Sequence, residues 1–539
     1  MPLTESYVPV DTSSPVLETT VGGILRDAAA KAPEQVALIE GVPGERRSWT
    51  YAELLADAER VARAIAARFE KGDRVAVWAP NIPEWVLLEY GAGLAGVVLV
   101  TVNPAYQPKE LEYVLRQSRS SGIFYLRSFR GNPMEESLKQ VADGLPELRE
   151  IIPFDEFEEF VASAPDDVEL PEVSPDDPVQ IQYTSGTTGF PKGAYLHHRG
   201  ITNNARFVAE RLSVRPGDAY VNPMPLFHTG GCVLGVLGPC QQQATLVNLV
   251  MFEPGLMLAL VEELRATHLL GVPTMLIAVM EHPDFASRDL SSVHTVCSGG
   301  ATVPADLVRR IEKTLGVQFS IIYGQTEASP GVTLMKPDDS EEDKANTLGP
   351  VLPQTEMKVI DPSTGATLPI GEQGELCCRG YLVMLGYFDM PDKTAETIDE
   401  DGWLRTGDLV TMDDRGYTTI TGRLKDMIIR GGENVYPREI EEFLYTHPAV
   451  SDVQVVGVPD ARMGEEVLAW IQLKEPGTTT ERDIKDFCRG KIAKFKIPRY
   501  IKFVDSYPMT VTGKIQKYKI REIAIRELGL EEISNTPTA

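Results

Sequence analysis

Tyr183-Thr-Ser-Gly-Thr-Thr-Gly-Phe-Pro-Lys-Gly193 is the stretch that decides how this chain is read. Its three glycines let backbone N–H groups approach an anion closely, and its hydroxyls and lysine add donors and positive charge. That is the chemistry of a phosphate grip. A Walker A loop would need Gly-x4-Gly-Lys-Ser/Thr. Here Pro191 precedes Lys192 and Gly193 follows it, so the pattern fails on both sides of the lysine. The stretch reads as a phosphate loop of another kind.

The flanks support this reading. Val179-Gln-Ile-Gln-Tyr183 alternates apolar and polar residues, as a strand entering the loop should. Ala194-Tyr-Leu-His-His198 leaves it, and a helix is expected from about Gly200 to Leu212. A strand, a glycine loop and then regular structure can present N–H groups to a ligand. Elsewhere, Arg74-Val-Ala-Val-Trp78, Val293-His-Thr-Val-Cys297 and Gln318-Phe-Ser-Ile-Ile322 read as strands, and Tyr51 to Phe69 as an amphipathic helix. Candidate ligand residues follow the strands at Ser298-Gly-Gly-Ala301 and Tyr323-Gly324, where open α/β sheets place their sites. After about Leu348, hairpin-like strands dominate, at Glu356 to Asp361, Gly374 to Arg379 and Gly416 to Thr421. From Asp426 on, strands such as Val453-Gln-Val-Val456 mix with helices such as Arg438 to Tyr445. Ser534 to Ala539 is expected to be disordered.

Composition bounds the function independently. A chain of 539 residues should form more than one core, and 43% hydrophobic with 24% charged residues is ordinary for a globular protein. The net charge of −26 argues against nonspecific nucleic-acid binding but leaves local anion sites open. Six cysteines are sparse, and the adjacent Cys377 and Cys378 make a poor disulfide, so a reducing, cytoplasmic setting is expected. The N-terminus has neither a basic-then-apolar leader nor an Arg-rich amphipathic start. The most membrane-like stretch, Trp85 to Val102, carries Glu89 and three glycines, and reads as a buried helix running into a buried strand.

Further motifs follow in order: Pro225-Leu-Phe-His-Thr-Gly-Gly231, Tyr323-Gly-Gln-Thr-Glu327, Thr406-Gly-Asp408, Gly422-Arg-Leu-Lys-Asp-Met-Ile-Ile-Arg-Gly-Gly432 and Thr512-Gly-Lys514. Together with the glycine-threonine loop they resemble the adenylate-forming superfamily, which includes acyl-CoA and aryl-CoA synthetases, peptide-synthetase adenylation domains and beetle luciferases. The resemblance runs from about Thr20 to Glu527. It implies an α/β fold with a large N-terminal domain, residues 1–424, made of α/β subdomains and a small β-rich subdomain. A mobile α+β C-terminal domain, residues 425–539, would carry the catalytic lysine.

The resemblance also implies roles. Thr184, Ser185, Gly186, Thr187, Thr188, Gly189 and Lys192 would grip the β- and γ-phosphates of ATP. Glu327, with Thr187, would hold magnesium, since hard oxygen ligands beside phosphates suit that ion. Thr326 would bond the α-phosphate and Tyr323 would stack on adenine, with Gly299, Gly300, Ala301, Gly324 and Gln325 around the ring. Asp408, helped by Arg423, would accept from the ribose hydroxyls. Lys514 would bridge the carboxylate and α-phosphate, and Lys425 would be the hinge. His228, Gly230 and Val272 would shape the acyl site, while Gly431 and Gly432 would line the tunnel for CoA. Lys494, Lys496 and Arg499 could meet CoA phosphates or form a solvated basic helix end.

The implied substrates are a small carboxylic acid, ATP and CoA, with no nucleic-acid partner and no transmembrane segment; a homodimer is compatible with the resemblance. Amino-acid adenylation domains usually place an aspartate near Phe227-His-Thr-Gly-Gly-Cys232, and this chain has none there. Gly271-Val-Pro-Thr-Met275 and Tyr323-Gly-Gln-Thr-Glu-Ala-Ser-Pro330 look most like the medium-chain fatty acyl-CoA synthetases. An aryl or other acid:CoA ligase, or an acyl-AMP ligase that loads a carrier protein, stays open at this stage.

Overall fold

The stretch that reads as membrane-like folds as a helix, Pro83–Ala95, followed by a strand, Val98–Val102. Proline at the first helical turn fixes the start, and Gly96 in the left-handed region ends it. Nearly every residue of the helix is buried, so its apolar character serves a core packed on all sides. Gly91 and Gly93 allow that packing. A Cβ on Gly91 would lie 2.6 Å from Val61, and one on Gly93 would lie 2.9 Å from Val21.

The computed structural model describes residues 2–165, 167–184, 191–301, 303–431, 433–510 and 515–531. These fall into two compact units. The larger comprises Tyr7–Met357 with Cys377–Arg405, and the smaller comprises Met1–Ser6, Lys358–Leu376 and Thr406–Ala539. Among the described residues no helix is long and apolar enough to cross a membrane. All six cysteines are buried free thiols.

The larger unit contains two sheets. In the seven-stranded sheet, Arg74–Trp78 pairs in parallel with Val98–Val102 and with Gly122–Tyr125. Val98–Val102 pairs in parallel with Pro178–Thr184, the strand that enters the glycine-threonine stretch. Lys192–His197 leaves that stretch antiparallel to it, with Thr184 opposite Lys192. The eight-stranded sheet runs through Ala219–Asn222, His268–Leu270, Thr295–Gly299 and Gln318–Gly324 in parallel, and Gly331–Leu334 closes it antiparallel. Helices such as Tyr51–Ala66, started by a Thr50/Glu53 capping box, and His198–Arg211 cover these sheets. Purely parallel pairing demands such crossovers, which explains the alternation of strand and helix in the sequence.

In the smaller unit, Leu404–Met412 and Thr418–Arg423 form an antiparallel hairpin in which Asp408 faces Arg423. Beyond it, Val450–Asp460 and Gly464–Leu473 form a long hairpin, which Tyr500–Phe503 extends in parallel. Ile440 and Leu444 of the helix Pro437–Tyr445 share one core with Val453, Val455, Val467 and Ile471 of the hairpin.

One buried acid links these elements. Glu89 lies within the fully packed helix, and its Oε1 accepts from Gln180 Nε2 at 2.7 Å. Gln182 Nε2 donates in turn to Gln180 Oε1 at 2.8 Å and to Cys232 Sγ at 3.0 Å. Burial pushes the Glu89 carboxyl well above the usual carboxylate range, outweighing the Gln180 bond. Its Oε2 has no hydrogen-bond partner among the described residues. Below the unfolded carboxyl pKa both states hold this proton. Above it, near pH 4.5, only the folded state does, so stability falls as pH rises, by about 1.4 kcal/mol per unit, until the folded pKa is reached. Glu89→Gln removes that titration. Urea unfolding across pH should show the variant gaining on the parent as pH rises, and parallel curves would mean that Glu89 is already ionised in the fold.

Candidate active site

Two neighbouring parallel strands end together in the larger unit. Gly299 on one lies opposite Ile322 on the other, which brings Gly299, Gly300 and Ala301 beside Tyr323. Gly300 has φ +74°, a left-handed conformation that L side chains rarely adopt, and a Cβ there would stand 3.8 Å from Val272. Val272 starts the helix Pro273–Met280. The structure therefore gathers Val272, Gly299, Gly300 and Tyr323 at one end of the sheet. Tyr323 is buried, while Gly300, Ala301 and Gly324 are exposed.

After Gly324 the chain turns tightly. Gln325 N–H donates to Pro330 O at 2.9 Å, and Ala328 N–H to Gln325 O at 2.9 Å. A one-turn 3-10 helix, Thr326–Ala328, results. It buries Glu327 and leaves Thr326 half-buried. Glu327 Oε1 accepts from the Tyr387 hydroxyl at 2.7 Å. Lys192 Nζ sits 3.8 Å from the centroid of the same Tyr387 ring. One tyrosine therefore touches both the lysine expected to grip phosphate and the acid expected to hold magnesium.

Tyr387 is firmly placed. Gly386–Tyr387 pairs antiparallel with Lys192–His197, and Tyr387 N–H donates to Thr394 Oγ1 at 2.9 Å. Burial, then the Glu327 carboxylate, push its phenol well above the usual range, so it remains a donor. Reading the sequence missed Tyr387, one of 18 tyrosines. The only local signal is Gly386-Tyr387 followed by Pro391 and Thr394.

Glu327 Oε2 has no hydrogen bond among the described residues. A single hard carboxylate oxygen close to the lysine expected to grip phosphate fits a magnesium ion that takes its other ligands from phosphate and water. Thr184 and Lys192 face each other where the two strands flank the glycine-threonine stretch. Ser185, Gly186, Thr187, Thr188 and Gly189 lie outside the described residues.

His228 is half-buried, with its ring 4.5 Å from that of Phe227. The Phe227 carbonyl accepts from Thr101 Oγ1 at 3.0 Å, and the His228 carbonyl accepts from the N–H groups of Gly231 and Cys232. A π-helix, Gly230–Leu237, follows at once. Local pattern does not mark it, because its buried glycines and aliphatics suit any helix. Such helices concentrate at functional sites.

A separate apolar cavity, lined by Met257, Leu276, Phe285, Val296 and Ile311 among others, measures about 20 Å³. It holds about one water and includes neither Val272 nor His228, so it is not the expected acyl site.

In the smaller unit, Arg423 Nε reaches Asp408 Oδ1 at 2.7 Å, with Asp408 buried and Arg423 exposed. Lys425 is exposed on the 3-10 turn Leu424–Asp426. Gly431 is exposed, and its N–H donates to Met463 O at 2.7 Å. Gly432 and Lys514 lie outside the described residues. In the basic run, Lys496 pairs with Glu439, and Arg499 Nη1 meets Asp460 at 2.8 Å and Glu466 at 3.3 Å. Two of the three cations considered for CoA are thus occupied by carboxylates here, and Lys494 is exposed on a 3-10 turn.

The profile described as "AMP-binding enzyme" matches residues 25–388, and the one described as "AMP-binding enzyme C-terminal domain" matches residues 439–514. The chain belongs to the AMP-binding enzyme family. It is an acid–thiol ligase of the acyl-CoA synthetase type. It is 40% identical to the medium-chain acyl-CoA ligase ACSF2 of Rattus norvegicus, over 96% of this chain and 89% of that protein. ATP-bound MatB from Rhodopseudomonas palustris superposes with a TM-score of 0.86 at 30% identity, covering 95% of this chain and 100% of that one. A Mycobacterium tuberculosis fatty acyl CoA synthetase gives 0.78 at 32% identity, covering 94% and 99%.

Tyr387 supplies a test of this AMP-binding enzyme site. A hydrogen bond to a charged group contributes about 1.5–3 kcal/mol. Tyr387→Phe should therefore slow acid-dependent ATP–pyrophosphate exchange roughly ten- to hundredfold and raise the magnesium concentration needed for half-maximal rate. Tyr387→Leu, which also removes the ring beneath Lys192, should in addition raise KM for ATP. Parent-like kinetics in both variants would show that the contact plays no part in the reaction.

Proposed function

We propose that this enzyme activates a medium-chain fatty acid with ATP and passes the acyl group to CoA. The observation that carries the reading is the 40% identity, across 96% of the chain, to a medium-chain acyl-CoA ligase. The segment Phe227-His-Thr-Gly-Gly-Cys232 supports it, since it offers no acid to receive a substrate ammonium group.

A carboxylate is a poor electrophile, being anionic and lacking a good leaving group. In the first half-reaction its oxygen attacks the α-phosphorus of ATP, the bond from that phosphorus to the bridging oxygen breaks, and pyrophosphate leaves. The step needs neutralised charge more than a strong base. Lys192 and the residues Thr184 to Gly189 would hold the departing phosphates, and Thr326 would bond the α-phosphate. Glu327, oriented by Tyr387, would hold magnesium, which when bound offsets phosphate charge. Tyr323 would stack on adenine, and Asp408 with Arg423 would take the ribose hydroxyls. Lys514 would bridge carboxylate and α-phosphate, a transient role that suits a point charge on a flexible stem.

In the second half-reaction the CoA sulfur attacks the acyl carbon, the acyl–oxygen bond breaks, and AMP leaves. No nucleophilic side chain is required. His228, Gly230 and Val272 would shape the acyl site, and Gly431 and Gly432 would pass the pantetheine arm. The segment from Lys425 to the C-terminus would act as a domain turning about Lys425 between the two half-reactions. An apolar pocket gains about 0.8 kcal/mol per buried CH₂ and separates neighbouring chain lengths poorly, so a range of acids is expected to react.

Pyrophosphate release measured across straight-chain fatty acids of graded length, benzoate and succinate, with and without CoA, tests the reading. Release should peak at medium-chain acids, and AMP turnover should depend on CoA. A maximum at benzoate, or release without CoA-dependent turnover, would overturn it. Lys514→Ala should abolish adenylate formation yet still convert supplied acyl-AMP to thioester, whereas equal loss of both half-reactions would reject its assigned role.

A further inference from the structure

Three side chains converge at the edge of the eight-stranded sheet opposite to Gly299 and Tyr323. Asp218 immediately precedes the strand Ala219–Asn222, His268 opens the strand His268–Leu270, and His294 immediately precedes Thr295–Gly299. These strands are consecutive parallel neighbours, with Tyr220 paired to His268 and His268 to Thr295. Parallel pairing in register therefore stacks their N-terminal ends and brings three distant positions together.

The Asp218 carboxylate lies between the two imidazoles. Its Oδ2 is 3.8 Å from His268 Nδ1, and its Oδ1 is 3.7 Å from His294 Nε2. One donor atom from each of the three residues falls within 4.8 Å of the others. These separations are too long for hydrogen bonds. They are close to the spacing of donors that share one ion: bonds of about 2.1 Å in a tetrahedral site set donors about 3.4 Å apart.

The protonation of His268 suits a ligand. Its Nε2 lies 3.1 Å from the Leu212 carbonyl, an acceptor only, so Nε2 carries the hydrogen and Nδ1 keeps a lone pair, 3.8 Å from Asp218 Oδ2, which also accepts from the Arg215 N–H. Metal-binding histidines typically anchor their second nitrogen in this way. The Thr267 hydroxyl, 2.9 Å from Nδ1, has an alternative acceptor in the Ala219 carbonyl at 3.2 Å, so the lone pair can be released to a cation. His268 is buried and stacked on Tyr220, whereas the His294 side chain is 51% exposed, with its Nδ1 3.3 Å from Thr295 Oγ1 and its Nε2 toward Asp218.

We propose that Asp218, His268 and His294 form a site for a divalent transition-metal ion, Zn²⁺ foremost, distinct from the nucleotide site. Two imidazole nitrogens and one carboxylate oxygen favour Zn²⁺ over Mg²⁺ or Ca²⁺, which prefer all-oxygen shells. Three protein ligands leave a fourth position for water on the exposed His294 side. The ion ties together the N-terminal ends of three strands, one of which ends at Gly299.

The test uses the full-length enzyme stripped with a chelator. Competition against a chromogenic chelator should show one Zn²⁺ bound per chain with micromolar affinity or tighter, undisturbed by excess Mg²⁺. Zn²⁺ should raise the Tm, and Co²⁺ should give the intense visible absorption of a four-coordinate site. Asp218→Asn and His294→Ala act at partly exposed positions and should keep the metal-free Tm near the parent value while weakening Zn²⁺ binding by at least about tenfold. Glu327→Gln should bind Zn²⁺ as the parent does. Absent stoichiometric binding, displacement by Mg²⁺, parent-like affinity in both Asp218→Asn and His294→Ala, or loss of binding in Glu327→Gln would each overturn the proposal.

Discussion

Parallel strand pairing in the larger unit is the constraint on which the rest depends. Every buried N–H and C=O must be paired, and a parallel pair achieves this only if the chain crosses back between strands through a helix. The crossovers bury helices such as Pro83–Ala95 and align all strand ends of one polarity along one edge. Gly299 and Tyr323 share an edge for that reason, although 23 residues separate Gly299 from Ile322 opposite it. The same rule gathers Asp218, His268 and His294 at the other edge.

Buried polar side chains link separate elements of this core. Glu89, Gln180, Gln182 and Cys232 join a buried helix, the strand entering the glycine-threonine stretch and the π-helix that follows His228. Burial pushes the Glu89 carboxyl upward because an ionised carboxylate there would carry a large desolvation cost. Tyr387 does for the strand leaving that stretch what the glutamines do for the strand entering it. Its backbone pairs with Ala194, its hydroxyl holds Glu327, and its ring receives Lys192. The chemistry-bearing groups are thus fixed by regular structure on both sides, as positioning to within a fraction of an ångström requires.

Much of the architecture was legible in local pattern. Alternation at Val179 to Tyr183, the apolar run from Trp85 to Val102 and the motif order gave the strands, the buried helix and the family. These are signals with short periods, set by which face of a strand or helix meets the core. Asp408 and Arg423 were each marked by a recognisable motif, but their ion pair comes from the antiparallel register of the hairpin. Tyr387 was not, because its partners Lys192 and Glu327 are 195 and 60 residues away, and no local pattern marks it among the aromatics. Nor was the occupancy of Lys496 and Arg499 by carboxylates, since charge runs look alike whether solvated or paired.

The sequence by itself determined the adenylate-forming class, and it named the glycine-threonine loop, the acid and the lysines on which the chemistry is proposed to rest. These are carried by residue types at fixed short spacings, which chemistry demands and which a string of letters records. Only the tertiary structure decided that one tyrosine joins Lys192 to Glu327, that burial inside a helix pushes the Glu89 carboxyl upward, and that two histidines and an aspartate meet at the far edge of a sheet. Those outcomes follow from strand order and register, which are set by long-range hydrogen bonding and burial.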